Sequence, residues 1–304
     1  MNVLVTGSSG WLGRTLVPLL RRAGHSAVGL DPAPGPATDV VGSVVDRGLV
    51  REVIRGREID AIVHAGALHK PQVATHSATD FVAVNVQGTL NLLEEAVAAG
   101  TVDRFVFTST TSLMISRRIR AGKVGGARAA AWLDESMTPL EPRNIYGVTK
   151  RSAEDMCRLV HALHGLPVLL LRTSRFFPEE DDMAHAIAQS AENTKANEFL
   201  FRRLTVDDAA EAHLVALAAA PRVGFDTYIV SAPTPFSPAD GAELIDNAPA
   251  VVARYFPDYP ALYARRGWTM FDSIDRVYDA SKIARDIGFT CRTGFAQVLD
   301  ALRA

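Results

Sequence analysis

The first half of the chain alternates short apolar runs with longer stretches in which apolar positions recur every three to four residues. Val3-Leu4-Val5 is the first such run, closed by glycines, and Leu12 to Ala23 follows with helical spacing that stops near Gly24. Ala27 to Leu30 reads as the next strand and leads into a Pro/Gly-rich turn from Asp31 to Pro36. Ala61-Ile62-Val63 and Arg104-Phe105-Val106-Phe107 are strand-like, and Asp80 to Ala99 between them predicts one long amphipathic helix. Asn144 to His164 predicts another helix, and Val168 to Leu171 another buried strand. Strands that are apolar on both faces and alternate with helices predict an α/β fold, a doubly wound parallel sheet with helices on each side.

After Leu171 the rhythm changes. Prolines and aromatics thicken (Phe176, Phe177, Pro178, then Pro233, Pro235, Pro238, Pro249, Pro257 and Pro260), and Thr227 to Val230 alone looks like another sheet strand. This predicts a sheet domain over residues 1–172 with a returning segment near 203–232, and a smaller C-terminal substrate lobe over the remainder of 173–304.

Composition narrows the function classes. Over 304 residues, 32 Lys and Arg face 34 Asp and Glu, so the chain has no general attraction for nucleic acid or an anionic membrane. Two cysteines, Cys157 and Cys291, are too few for a disulfide framework or a cysteine-based metal site, so no metal is expected. No stretch reaches the ~18 apolar residues of a membrane span, and no basic leader precedes Asn2-Val3-Leu4-Val5. The expectation is a cytoplasmic protein.

Thr6-Gly7-Ser8-Ser9-Gly10-Trp11-Leu12-Gly13 lies between the first strand and the first helix. Glycines there permit a tight turn and a close backbone approach to a pyrophosphate, which the helix N-terminus attracts. Three glycines alone also describe an ordinary turn; the flanking strand and helix favour a dinucleotide loop. Asp31 ends the second strand, 18 residues past Gly13. A carboxylate there accepts hydrogen bonds from ribose hydroxyls and repels a 2′-phosphate, and no Arg or Lys lies between Arg22 and Arg47 to offset it. A solvated turn Asp before Pro32 is the alternative. The cofactor expected is NAD rather than NADP.

Tyr146-Gly147-Val148-Thr149-Lys150 places a phenol and an amine on one helix face. An ammonium, and a positive nicotinamide ring, favour phenolate and would lower the phenol pKa from roughly 10 toward working pH. The spacing by itself also describes an exposed ring over a solvated lysine.

The chain resembles the extended short-chain dehydrogenase/reductase family, the group that includes UDP-galactose 4-epimerase. The resemblance rests on Thr6 to Gly13, Asp31, His64-Ala65-Gly66-Ala67, Asn85-Val86-Gln87-Gly88-Thr89, Thr108 to Ser112 and Tyr146 to Lys150. Looser matches follow at Thr205 to Ala209 and at Tyr278 to Lys282 leading to Phe289. It implies a Rossmann-type fold, with Tyr146 as general acid/base and Lys150 binding the nicotinamide ribose. It also implies Thr110 as the catalytic hydroxyl, with Ser109 and Ser112 as fallbacks and Ser112 beside the substrate. Asn85 would brace the cofactor-side loop. Gly7, Gly10, Trp11, Leu12, Gly13, Asp31, Ser43, Val44, Ala65, Gly66, Ala67, Asn85, Tyr146 and Lys150 would line the cofactor.

Departures from the family qualify this. Ser43 stands where the family carries an adenine-contacting Asp, and His69, followed by Lys70, where epimerases carry a lysine. The basic segment Leu113 to Trp132, with Arg117, Arg118, Arg120, Lys123 and Arg128, is longer than expected and reads either as a cover for an anionic substrate or as a solvated loop. Thr173 to Pro178 places Arg175 where epimerases carry an Asn-containing turn, so Arg175 is a substrate-contact candidate. Arg265-Arg266 resembles a diphosphate-gripping pair, which adds Arg266. Thr111-Ser112 follows Thr110 where nucleotide-sugar dehydratases carry Asp-Glu, so dehydration is disfavoured. The resemblance implies a sugar or nucleotide-sugar epimerase, with a dehydrogenase of a sugar, sugar acid or other polar alcohol as the alternative and a non-catalytic NAD sensor as a third reading. A homodimer through the helices Asp80–Ala99 and Asn144–His164 is also implied.

Overall fold

The computed structural model describes residues 1–177 and 189–303. In chain order the elements begin with β1 (Asn2–Thr6), α1 (Trp11–Arg22), β2 (Ser26–Asp31), β3 (Val40–Val41), α2 (Arg47–Gly56) and β4 (Ala61–His64). A short α3 (Ala78–Phe81), a π-helical turn (Val82–Gln87), α4 (Gly88–Ala99) and β5 (Arg104–Thr110) follow. Next come α5 (Arg117–Ala121), β6 (Ala131–Leu133), α6 (Ile145–His164), β7 (Val168–Thr173), α7 (Ala191–Glu198), α8 (Val206–Val223) and β8 (Phe225–Val230). The chain ends with α9 (Gly241–Tyr255), α10 (Tyr259–Arg266), β9 (Arg276–Tyr278), α11 (Ser281–Ile287) and α12 (Phe295–Arg303).

Seven strands form one sheet in the order β3-β2-β1-β4-β5-β7-β8, and the pairs β2/β3, β1/β2, β1/β4, β4/β5 and β5/β7 are parallel. This is a Rossmann-type sheet. The chain leaves β1 toward β2 and β3, then returns to add β4 on the opposite side. The carboxyl ends of β1 and β4 therefore flank the crevice where parallel α/β sheets bind ligands. β4 and β7 are buried along their whole length, which is why they read as continuous apolar runs rather than alternating ones.

The chain divides into two compact units. Unit 1 comprises Met1–Leu113, Asn144–Thr173 and Val206–Tyr228, with a core that includes Leu4, Ile62, Leu92, Phe105, Phe107, Cys157 and Leu170. Unit 2 comprises Met114–Arg143, Ser174–Thr205 and Ile229–Ala304, with its own core of residues such as Leu200, Phe201, Leu244, Val252, Tyr263, Val277 and Phe295. Its β6 and β9 pair in parallel as a separate two-stranded sheet. The division differs from the expected one: residues 114–143, expected in the first domain, cluster with unit 2, and the returning segment is 206–228 rather than 203–232. Strands of three residues, such as β6 and β9, are too short to show a period.

The expected helix over Asp80–Ala99 also differs, because a π-turn interrupts it. The extra residue in that turn sets Asn85 facing inward, where it is 1% exposed. Asn144 caps α6, its side chain accepting from Gly147 N at 2.9 Å, and left-handed Gly165 closes the helix.

Candidate active site

Unit 1 carries a phosphate-type loop on the end of β1. Gly7 has φ +74°, and a Cβ there would lie 2.7 Å from the backbone of Gly66, so the loops after β1 and β4 touch. A Cβ on Gly13 would come within 2.2 Å of the Gly7 carbonyl oxygen. Gly10 is the N-cap of α1, and no side chain caps that helix end. The first-turn amides of Trp11 and Leu12 therefore face the loop without a side-chain acceptor, which suits a pyrophosphate.

Asp31 is buried at the end of β2. Its two oxygens accept from Ser9 N at 3.1 Å and Ala33 N at 2.8 Å. Each oxygen keeps a further lone pair, so the carboxylate can also receive a vicinal diol. Val44 is buried, Ser43 Oγ accepts from Val45 N, and Asn91 on α4 donates to the carbonyls of Val44 and Val45. These residues fit NAD: a tight glycine turn, an uncapped helix start and a fixed carboxylate stand around one crevice.

Behind the crevice runs a buried hydrogen-bond chain through residues of the family motifs. Thr89 Oγ1 donates to the Asn85 carbonyl, so it accepts from His64 Nε2 at 3.0 Å. With the imidazole neutral, Nδ1 is left to accept from Thr6 Oγ1 at 2.6 Å, and Thr6 accepts in turn from Gly66 N. Burial holds the His64 pKa well below its ordinary value, helped by Lys150. The Asn85 side chain accepts from Leu68 N and donates to Leu68 O and to Thr149 Oγ1, and Thr149 bonds the carbonyls of Ile145 and Tyr146. Asn85 thus ties the loop after β4, which contains Ala65, Gly66 and Ala67, to the first turn of α6. His69 caps a short 3-10 turn beginning at Lys70, and both side chains are partly exposed.

Tyr146 and Lys150 lie on the buried face of α6, 9% and 3% exposed. Burial pushes the Tyr146 phenol up to about 12, against a hydrogen bond with Thr110 that works in the opposite direction. Burial pulls Lys150 down to about 7, opposed by Cys157 and Glu154. Its ammonium sits 3.8 Å from the centre of the Phe107 ring. The physical order therefore differs from the expectation: burial and Thr110 govern the phenol in the protein alone, and the lysine does not pull it down. Thr110 also accepts from Ser112 N at 3.0 Å, which places both hydroxyls at the end of β5. Ser109 points the other way and donates to Glu154 at 2.5 Å; Arg172 also grips Glu154, in a bidentate pair. Glu154 was not anticipated, although Tyr146, Lys150 and Glu154 recur every four residues along one helix face.

Unit 2 holds a cluster of its own. Glu198 is fully buried and pairs with Arg202 and Arg203 at 2.7 Å each and with Arg175 at 3.7 Å. Burial would raise the Glu198 carboxyl, but Arg202, Arg175 and Arg203 hold it below its ordinary value. Arg175 is thus engaged in an ion cluster. Arg266 is exposed in the last turn of α10, and Pro178 lies outside the described residues. The basic segment is not a featureless loop: Arg120 and Lys123 line a cavity of about 250 Å³ with Arg202, Phe201 and Phe271.

Among the described residues no helix is long and apolar enough to cross a membrane. Residues 3–230 match the family described as the NAD dependent epimerase/dehydratase family. The low-salt glycan biosynthesis protein Agl12 of Haloferax volcanii is 32% identical over 192 residues, covering 58% of this chain and 57% of that protein. A UDP-glucose 4-epimerase of Azospirillum brasilense is 31% identical over 180 residues, covering 56% and 48%. The chain thus spans about half the length of these relatives. The fold matches that of a short-chain dehydrogenase/reductase superfamily protein from Agrobacterium tumefaciens with bound NAD, at TM-score 0.69 and 24% identity over 99% of this chain and 95% of that one. It also matches a UDP-Glc/GlcNAc 4-epimerase from Campylobacter jejuni, at TM-score 0.70 and 17% identity over 99% and 97%.

Proposed function

Since the chain belongs to the NAD-dependent epimerase/dehydratase family, we propose that it is an epimerase of a sugar or nucleotide sugar, taking a hydride from a carbinol carbon and returning it to the opposite face. The observation that carries this reading is the buried triad of Thr110, Tyr146 and Lys150, braced through Asn85 and Thr149 against the loop that contacts Gly7. NAD, when bound, supplies the hydride acceptor and donor and a positive ring.

The protein's own residues manage the proton. Tyr146 would take the carbinol proton as the hydride leaves and give it back as the hydride returns. Burial keeps the phenol protonated in the protein alone, so the first half would rely on the positive ring that bound NAD brings to favour phenolate, with Thr110 hydrogen-bonded to the phenol to orient the substrate hydroxyl. Lys150, whose ammonium titrates near 7, is poised to accept or release charge as the phenol loses or regains its proton. Gly7 to Gly13 would hold the pyrophosphate, Asp31 the adenosine ribose and Lys150 the nicotinamide ribose. Thr111-Ser112 after Thr110 argues against dehydration. In unit 2 the cavity bearing Arg120, Lys123 and Arg202 offers cationic groups to an anion.

A net dehydrogenase of a free sugar, sugar acid or other polar alcohol is the second reading, since the buried Thr110, Tyr146 and Lys150 would serve it equally. One experiment separates the two. Purified protein given UDP-glucose, UDP-galactose and a panel of free sugars and sugar acids is followed at the NADH absorbance band, with products analysed. Interconversion of epimers without net NADH supports the proposal; stoichiometric NADH release overturns it in favour of the dehydrogenase. We also propose a homodimer through the outer face of α6, where Val148, Leu159 and Leu163 are exposed. A reducing, cytoplasmic setting fits two buried cysteines that share no disulfide.

A further inference from the structure

The segment Pro32–Thr38 is a strap over the glycine-rich loop. Its two ends are tied to β2: Asp31 closes the strand, and Asp39 N donates to Gly29 O at 2.9 Å while the Asp39 carboxylate accepts from Gly29 N and pairs with Arg21, both at 2.7 Å. Three prolines, Pro32, Pro34 and Pro36, restrict the backbone between these ends.

Three hydroxyls fasten its middle. Ser9 Oγ donates to Ala33 O at 2.7 Å, so it has no proton left for Thr38, and the 2.7 Å contact between them runs from Thr38 to Ser9. Thr38 has then spent its proton, so its 2.7 Å contact with fully buried Ser8 runs from Ser8 to Thr38. The order is one-directional: Ser8 to Thr38 to Ser9 to the Ala33 carbonyl. At the end of this chain, Ser9 and Ala33 turn their backbone N–H groups onto the two oxygens of Asp31.

We propose that Ser9 and Thr38 are specificity-determining residues for the cofactor, acting by holding Asp31 in place so that an adenosine 2′-phosphate is excluded. This rests on NAD being the cofactor. A carboxylate alone discriminates poorly if it can swing away from an approaching phosphate. Here one amide on each oxygen blocks that rotation, and the hydroxyl chain with the prolines blocks displacement of the strap. The remaining lone pair on each oxygen faces a diol and repels a dianion. Thr38 makes no part of the family fingerprint; its role comes from position.

The test is cofactor binding by calorimetry, with NAD and NADP as probes, and needs no turnover. Thr38→Val removes the hydroxyl without changing shape. It is expected to lower the NAD/NADP affinity ratio about threefold to tenfold, the value of one or two net hydrogen bonds. Thr38→Ser keeps the hydroxyl and should keep the ratio. Ser9→Ala should lower the ratio as Thr38→Val does. In an Asp31→Asn background Thr38→Val should leave the ratio unchanged, because the strap acts through that carboxylate. Equal weakening of both cofactors by Thr38→Val, or an unchanged ratio, overturns the proposal while leaving the NAD reading intact. A wild-type protein that binds neither dinucleotide, or prefers NADP, overturns the NAD reading and the proposal with it.

Discussion

Replacing Lys150 by Met tests whether the lysine is retained for chemistry at the expense of stability. Its folded pKa falls from 10.5 to about 7 on burial. That difference of 3.5 units, at roughly 1.4 kcal/mol per unit, sets a ceiling of about 5 kcal/mol on the cost of carrying the charged form. Relaxation and water penetration reduce such costs, and the contact with the Phe107 ring returns ~0.5–2 kcal/mol, so Lys150→Met should gain about 1–3 kcal/mol near neutral pH. For a chain of this size that is roughly 2–10 °C in Tm. The sign with pH is fixed by linkage. Between about 7 and 10.5 the unfolded lysine holds a proton that the folded one has lost, so wild-type stability rises with pH through that window. The advantage of Lys150→Met should therefore be fullest below about pH 7 and shrink toward pH 10. Melting curves of both proteins without cofactor, taken at about pH 6 and about pH 9, decide the matter. A variant less stable than wild type at the lower pH, or a difference that does not change between the two, would refute the reasoning. Activity should be lost in either case.

Tyr146→Phe should abolish turnover while leaving NAD affinity nearly unchanged, measured by product analysis and calorimetry; near-normal turnover would remove Tyr146 from the chemistry. Gly13→Ala forces a Cβ toward the Gly7 carbonyl and should weaken NAD at least about tenfold, so an unaltered Kd would show that the loop does not hold the dinucleotide. Glu198→Gln takes the buried carboxylate away from Arg175, Arg202 and Arg203 and should cost about 3–5 kcal/mol, read as a lower urea midpoint. Because the Glu198 pKa is depressed, its contribution is present above 4.5 and should disappear as pH falls through the folded value; acid unfolding insensitive to Glu198→Gln would contradict this. Paired Leu159→Asp and Leu163→Asp substitutions on exposed α6 positions should yield monomers by light scattering, and a wild-type monomer would rule out the proposed dimer.

Much of unit 1 was legible in the sequence because its information is local. β4 and β7 announce themselves as apolar runs since both of their faces are covered, and α6 is bracketed by Asn144, whose side chain caps its start, and Gly165, whose left-handed backbone stops it. The glycine spacing from Gly7 to Gly13, the acid at Asp31 and the four-residue interval from Tyr146 to Lys150 are likewise properties of short stretches. Unit 2 was read less well: β6 and β9 are three residues each, and what makes them strands is one another.

The sequence by itself determined which groups the chain carries and on which helix face or strand end each one stands. Tertiary structure alone decided what those groups are worth. Nothing in the spacing of Tyr146 and Lys150 says that burial outweighs their mutual influence, or that Asn85 turns inward from a π-turn to reach Thr149. Nor does it say that Ser8 and Ser9, from the loop after β1, meet Thr38, from the segment after β2, to fix Asp31. The reason is physical. Propensity and periodicity act between neighbours along the chain, whereas desolvation and buried hydrogen bonds depend on which distant segments exclude water from a group and which donors they bring to it.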